Sequence, residues 1–172
     1  MKRKKEFYDP YAELIDRFNR QGINYVVVGM SGINYYASNT LETFSTQDFD
    51  IFVKPTIDNV KKSIAVFKEL GYNVVSYRRQ GEDLSIKDVV KNKKTILAVD
   101  SSGITFELIL SVSGFTFSQM EENAVVFNVG NIPVKVSKLS QLLLTKKIAG
   151  RKKDKLFLKR YEILLKEKGL KP

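Results

Sequence analysis

The chain contains no cysteine and no histidine. Without cysteine there is no disulfide, no thiolate-bound zinc and no cysteine nucleophile. Without histidine the commonest general base is missing, and with it any Ser-His-Asp arrangement. No apolar run reaches the 18 residues that suggest a membrane-spanning helix. The basic start, Met1 to Glu6, is not followed by an apolar stretch of the signal-peptide kind. What remains for acid-base or metal chemistry is carboxylate, with lysine and tyrosine behind it. Carboxylates without imidazole suit hard cations such as magnesium or manganese better than zinc. The missing cysteines fit a reducing cytoplasm. At 172 residues, 43% of them hydrophobic, the chain is long enough for one sizeable core with a small helical appendage.

The net charge of +10 is unevenly placed. Residues 1–132 carry 16 basic and 16 acidic side chains, whereas residues 133–172 carry 13 basic and 3 acidic ones. The whole excess therefore lies in the last 40 residues. Two readings stand side by side: a solvated helix face that keeps the protein in solution, and a surface for a polyanion such as triphosphate, nucleic acid or an acidic protein.

Local patterns predict a single α/β unit. Tyr11, Leu14, Ile15 and Phe18 share one face of a helix over 8–21, ended by Gln21-Gly22. Ile23–Val28 is a β-branched, aromatic run and reads as a buried strand. Gly29-Met30-Ser31-Gly32 breaks it, with a helix over 31–38 directly behind. Phe49–Val53 is a second strand, stopped at Lys54-Pro55. Thr56 or Asp58 caps a helix whose Ile57, Val60, Ile64 and Phe67 share a face, closed by Gly71. Asn73–Tyr77 is a third strand, and 78–93 a polar loop with room for a short helix. Thr95–Val99 and Ile104–Leu110 pair across Asp100-Ser101-Ser102-Gly103. Val125–Val129 and Ile132–Val136 pair across Gly130-Asn131. Ser137 or Ser140 caps a helix to Ile148, Gly150 interrupts, and a last helix to Lys166 carries the stripe Phe157, Leu158, Tyr161, Leu164 and Leu165. The expected core spans about 8–136 and the basic helical segment about 137–168.

One constellation carries chemistry. In Ser45-Thr46-Gln47-Asp48-Phe49-Asp50-Ile51-Phe52-Val53 the two aspartates stand two apart at a strand entrance. Strand side chains alternate, so both carboxylates share a face while Phe49, Ile51 and Val53 turn to the core. Two acids on one side repel unless a cation sits between them, and a magnesium ion would in turn bridge triphosphate oxygens. The preceding strand, glycine turn and helix start present backbone N–H groups to an anion; Gly29 permits close approach and Ser31 adds a hydroxyl. Glu107 is the one charge within Ile104–Leu110, costly there unless paired or metal-bound. Asp100, at the hairpin turn, competes for the place of third acid.

In these parts the chain resembles the nucleotidyltransferase superfamily, whose fold is shared with DNA polymerase beta. It is most similar to the small bacterial stand-alone members, some of which serve as antitoxins or abortive-infection components. The matching parts are Gly29-Met30-Ser31, Thr46-Gln47-Asp48-Phe49-Asp50, Glu107, and Lys146 to Asp154 with Arg151-Lys152-Lys153-Asp154. They cover about residues 10–165. The resemblance implies a mixed sheet flanked by helices. It also implies transfer of a nucleoside monophosphate from a nucleoside triphosphate to a protein, RNA or small-molecule hydroxyl. Asp48, Asp50 and Glu107 would hold Mg2+ or Mn2+; Gly29, Ser31, Thr46, Lys146 and Arg151 would hold the nucleotide, with Lys147 an alternative to Lys146. Lys153 and Asp154 would pair with each other or cap the last helix. Met30 stands where the family carries glycine or serine, Phe44 where it often has arginine, Phe157 where it commonly has aspartate, and Glu107 where aspartate is usual. These departures motivate a second expectation: a weakly active or inactive relative that binds a protein partner. The basic tail keeps nucleic acid as a third possible partner.

Overall fold

The computed structural model describes residues 10–76 and 85–169. The first two residues of the expected N-terminal helix, Tyr77 at the end of the third expected strand, and 78–84 lie outside that range.

The elements follow the apolar pattern closely. Helix α1 (Pro10–Arg20) buries Ala12, Leu14, Ile15 and Phe18. Strand β1 (Tyr25–Val27) is buried throughout and runs into helix α2 (Gly29–Asn34). A single 3-10 turn (Thr40–Glu42), capped by the Asn39 side chain, leads to strand β2 (Asp48–Val53). Helix α3 (Ile57–Glu69) is capped by the Thr56 hydroxyl, and strand β3 (Asn73–Ser76) follows. A short helix α4 (Ile86–Lys91) precedes the hairpin of β4 (Ile96–Val99) and β5 (Thr105–Ile109). Helix α5 (Phe117–Glu122) comes before the hairpin of β6 (Val125–Val129) and β7 (Ile132–Val136). Helices α6 (Leu139–Ala149) and α7 (Lys152–Glu167) close the chain around Gly150.

Among the described residues seven strands form one mixed sheet in the order β3-β4-β5-β2-β1-β7-β6. Hairpins fill its flanks, and two parallel pairings, β2 with β5 and β1 with β7, join the parts at the centre. On β2, Phe49, Ile51 and Val53 are buried as the alternation requires. Phe49 lies beside Phe106 of β5, and their rings meet Tyr11 of α1; Phe106 also meets Phe67 of α3. The opposite side chains of β2 are Asp48, Asp50 and Phe52. Helix α5 covers the far end of that face through Phe117 on Phe52, ring centroids 5.3 Å apart. The acidic end opens into a cleft. No helix among the described residues is long and apolar enough to cross a membrane.

Four local expectations differ from the structure. Helix α2 starts at Gly29 rather than residue 31 and ends at Asn34, because the Asn34 amide is tied to both backbone groups of Phe44. Ile57 is exposed at the start of α3, where the apolar face has not yet met the sheet. Neither Ser137 nor Ser140 caps α6: Lys138 stands at the cap without a side-chain bond, and the Ser137 hydroxyl instead donates to Gln141. Helix α5 has no counterpart in the pattern reading, although Thr116-x-x-Gln119 forms a reciprocal capping box that marks its start.

Candidate active site

The acidic cluster is built by register. In the parallel pairing of β2 with β5, Asp50 lies beside Glu107 and Asp48 beside Thr105. Asp48, Asp50 and Glu107 thus share one face, two of them abreast on adjacent strands. They line a cleft of about 700 Å³ together with Gly29, Met30, Thr46, Lys146, Arg151 and Lys153. Asp100 is not among the lining residues; its carboxylate accepts from the Ser102 and Ile104 backbone and holds the hairpin turn.

Electrostatics mark the cluster as strained when empty of countercharge. Burial, then the charges of Glu107 and Asp48, push the Asp50 carboxyl up to about 7, against the pull of Lys146 and Lys153. Burial, then Asp48, also raises Glu107, opposed by Lys153, a hydrogen bond with Asp50, and Arg151. Like charges this close disfavour ionisation of both acids at once. Among the described residues no three acids are gathered into a ready-made cation cage. The donor set nonetheless suits a hard cation: three carboxylates, no imidazole or thiolate, and two groups raised by burial and like charge.

The turn above the cluster explains its glycine. Gly29 has φ +63°, a left-handed conformation, and a Cβ there would sit 1.9 Å from Asp50 Oδ2. The Asp50 carboxyl therefore packs directly on the bare α-carbon. Behind it, the first intrahelical bond of α2 is Gly32 N–H to the Val28 carbonyl, so the N–H groups of Gly29, Met30 and Ser31 precede the helical ladder. Ser31 plays a different part from the one expected. It is buried, donates to the Asp48 carbonyl at 3.0 Å and accepts from the Asp50 N–H at 3.2 Å. Its hydroxyl fastens α2 to β2 and does not line the acidic cleft. Thr46 lines the cleft, and its hydroxyl donates to the Asp48 carbonyl.

The opposite wall is cationic and comes from the elbow between α6 and α7. Asp154, 1% exposed, accepts from Arg151 Nε at 2.6 Å and lies 3.5 Å from Lys146 Nζ. Burial alone would raise Asp154, but the Arg151 hydrogen bond and the Arg151 and Lys146 charges outweigh it and hold the carboxyl low. Asp154 therefore pairs with Lys146 and Arg151, neither with Lys153 nor merely as a cap. Burial lowers the Lys146 ammonium against the opposing charges of Asp154 and Asp50. Its Nζ also lies over the Phe157 ring, 5.1 Å from the centroid. Lys147 is exposed and does not line the cleft, whereas Lys146 does. The i, i+3 spacing of Arg151, the cap residue of α7, and Asp154 in its first turn is the sequence signal for this arrangement.

Two of the positions singled out in the sequence meet in the fold. Phe44 and Phe157, standing where arginine and aspartate are frequent, are in edge-to-face contact at 4.8 Å and 75°. Tyr161 extends the cluster. Met30 lines the cleft and also packs against the core.

Comparison with solved structures agrees with this architecture. A candidate nucleotidyltransferase of Thermotoga maritima, TM1012, superposes with a TM-score of 0.58 at 14% identity, over 88% of this chain and 89% of that one. The antibiotic-resistance factor ANT(2'')-Ia superposes with a TM-score of 0.52 at 12% identity, over 79% of this chain and 69% of that one. No protein-family model matches the sequence, and no curated protein does. At such identity the likeness is one of fold: the chain has the nucleotidyltransferase fold.

Proposed function

We propose that the protein transfers a nucleoside monophosphate from a nucleoside triphosphate to a hydroxyl acceptor, with Mg2+ or Mn2+ held by Asp48, Asp50 and Glu107. One observation carries this reading. Three carboxylates share a face in register, two of them raised by burial and like charge, across a cleft from Lys146, Arg151 and Lys153. When bound, the cation would neutralise the acids and draw charge from the phosphate oxygens.

The chain's own groups account for the rest. The N–H groups opening α2 and the side chains of Lys146 and Arg151 hold the triphosphate. Asp154 fixes the direction of both cations. The acceptor oxygen forms a bond to the α-phosphorus, the bond from that phosphorus to the bridging oxygen breaks, and pyrophosphate leaves with the electron pair. Glu107, made a stronger base by burial and by Asp48, receives the hydroxyl proton as a carboxylate. Incubation with nucleoside triphosphate labelled in the α-phosphate, magnesium and cell extract tests the reading. Label is expected to pass to an acceptor with wild type and not with Asp50→Ala. Equal labelling by both proteins contradicts it.

A second reading, a partner-binding module, rests on exposed apolar side chains of the tail: Leu144 and Ile148 on α6, Leu156 and Ile163 on α7. Its mark is a stable protein complex that survives Asp48→Ala together with Asp50→Ala.

A further inference from the structure

A second cavity of about 460 Å³ adjoins the acidic cleft, and the two share Ser45, Thr46 and Asp48. Its chemistry is the reverse of the first. No lysine or arginine lines it among the described residues, and its one charge is Asp48. Its walls are rings: Tyr11 of α1, Tyr35 at the end of α2, Phe44 of the preceding loop and Phe49 of β2.

These rings are held from behind. Tyr11 stacks on Phe49 at 4.7 Å and 18°, Tyr35 rests on Phe127 at 5.5 Å, and Phe44 rests on Phe157. Three polar side chains of the lining are already engaged. The Ser31 hydroxyl binds the β2 backbone, the Asn34 amide binds Phe44 at both its N–H and carbonyl, and the Thr46 hydroxyl binds the Asp48 carbonyl. The cavity therefore offers ring surfaces and few free polar groups. It suits a flat, uncharged ring and repels phosphate.

A ligand spanning both cavities must be a flat ring joined to a polyanion. We infer that the ring-walled cavity is the nucleobase subsite of the donor, with the triphosphate continuing past Asp48 and Thr46 to the cationic wall. This deepens the transferase reading and rests on it. With the Ser31, Asn34 and Thr46 side chains engaged, base recognition is mainly by stacking rather than by hydrogen-bond readout. The site then accepts all four bases and favours purines for their larger face.

Calorimetric titrations with ATP, GTP, CTP, UTP and inorganic tripolyphosphate, each with magnesium, separate the two claims. Wild type, Tyr35→Leu and Tyr11→Leu are compared. The inference expects both variants to lose affinity for every nucleotide, roughly tenfold as for the loss of one stacking partner. It expects tripolyphosphate binding to stay unchanged, which also shows that the variants are folded. It further expects ATP and GTP to bind wild type more tightly than CTP and UTP. Nucleotide affinity unchanged in both variants overturns the subsite. So does a strong preference for a single base, or tripolyphosphate binding wild type as tightly as the nucleotides do. Failure of wild type to bind tripolyphosphate would instead count against the transferase reading itself.

Discussion

Replacing Asp50 with asparagine should stabilise the metal-free protein, and the gain should grow with pH. The carboxyl has an ordinary value of 3.8 and is pushed to about 7 in the fold. Its folded value lies above its unfolded one, so the folded state binds the proton more tightly between them. Stability therefore falls as pH rises through that window. Asparagine resembles the protonated acid in shape and does not titrate. From these two values, the wild-type penalty is about 1.5 kcal/mol at pH 5 and about 4 kcal/mol at pH 8. The stability gap between Asp50→Asn and wild type should thus widen by about 2.5 kcal/mol over that range. Any fixed cost of the substitution cancels in this difference. Urea unfolding followed by circular dichroism, with chelator present, measures the gap at each pH. A gap that stays constant or narrows as pH rises would refute the electrostatic account of the cluster.

Three further substitutions probe the geometry around it. Gly29→Ala meets both a positive φ and the Asp50 carboxyl 1.9 Å from the new methyl; it should cost about 1–2 kcal/mol in backbone strain alone and weaken nucleotide binding by displacing Asp50, and wild-type affinity in calorimetry would contradict the packing described. Asp154→Asn removes the charge that holds Lys146 and Arg151; leaving Lys146 half-buried beside a neutral partner should cost about 3 kcal/mol in urea unfolding and lower tripolyphosphate affinity, whereas unchanged affinity would show that the cationic wall orients itself. Phe157→Asp alone should cost about 3–4 kcal/mol, through a lost buried ring and an unpaired charge. Combined with Phe44→Arg it should recover at least about 1 kcal/mol over the sum of the single changes, and strict additivity would deny that the two positions form one pair.

The hairpins and the acid positions were readable from the chain because local rules govern them. Turn formers at Asp100–Gly103 and Gly130-Asn131 set the pairing, and period-two alternation set Asp48 and Asp50 on one face. Placing Glu107 beside Asp50 needs the parallel pairing of β2 with β5, across 56 intervening residues, which no local pattern encodes. Ser31 was legible as a hydroxyl at a helix start, yet its partners are the backbone of a strand 17 and 19 residues on. The Asp154 pairing with Lys146 crosses the bend at Gly150, whose φ of +61° turns two helices back on each other. Phe44 and Phe157 read as two separate oddities until the fold brought them into contact. Helix α5 was the plain omission: its capping box is local, but six residues carry too little apolar period to stand out.

The measurement that bears most directly on the transferase proposal is calorimetric titration of the four nucleoside triphosphates, with and without magnesium, into wild type and into Asp48→Ala/Asp50→Ala. The account predicts binding that requires magnesium in wild type and is lost in the double variant. Equal binding by both proteins, or none by wild type, would contradict it.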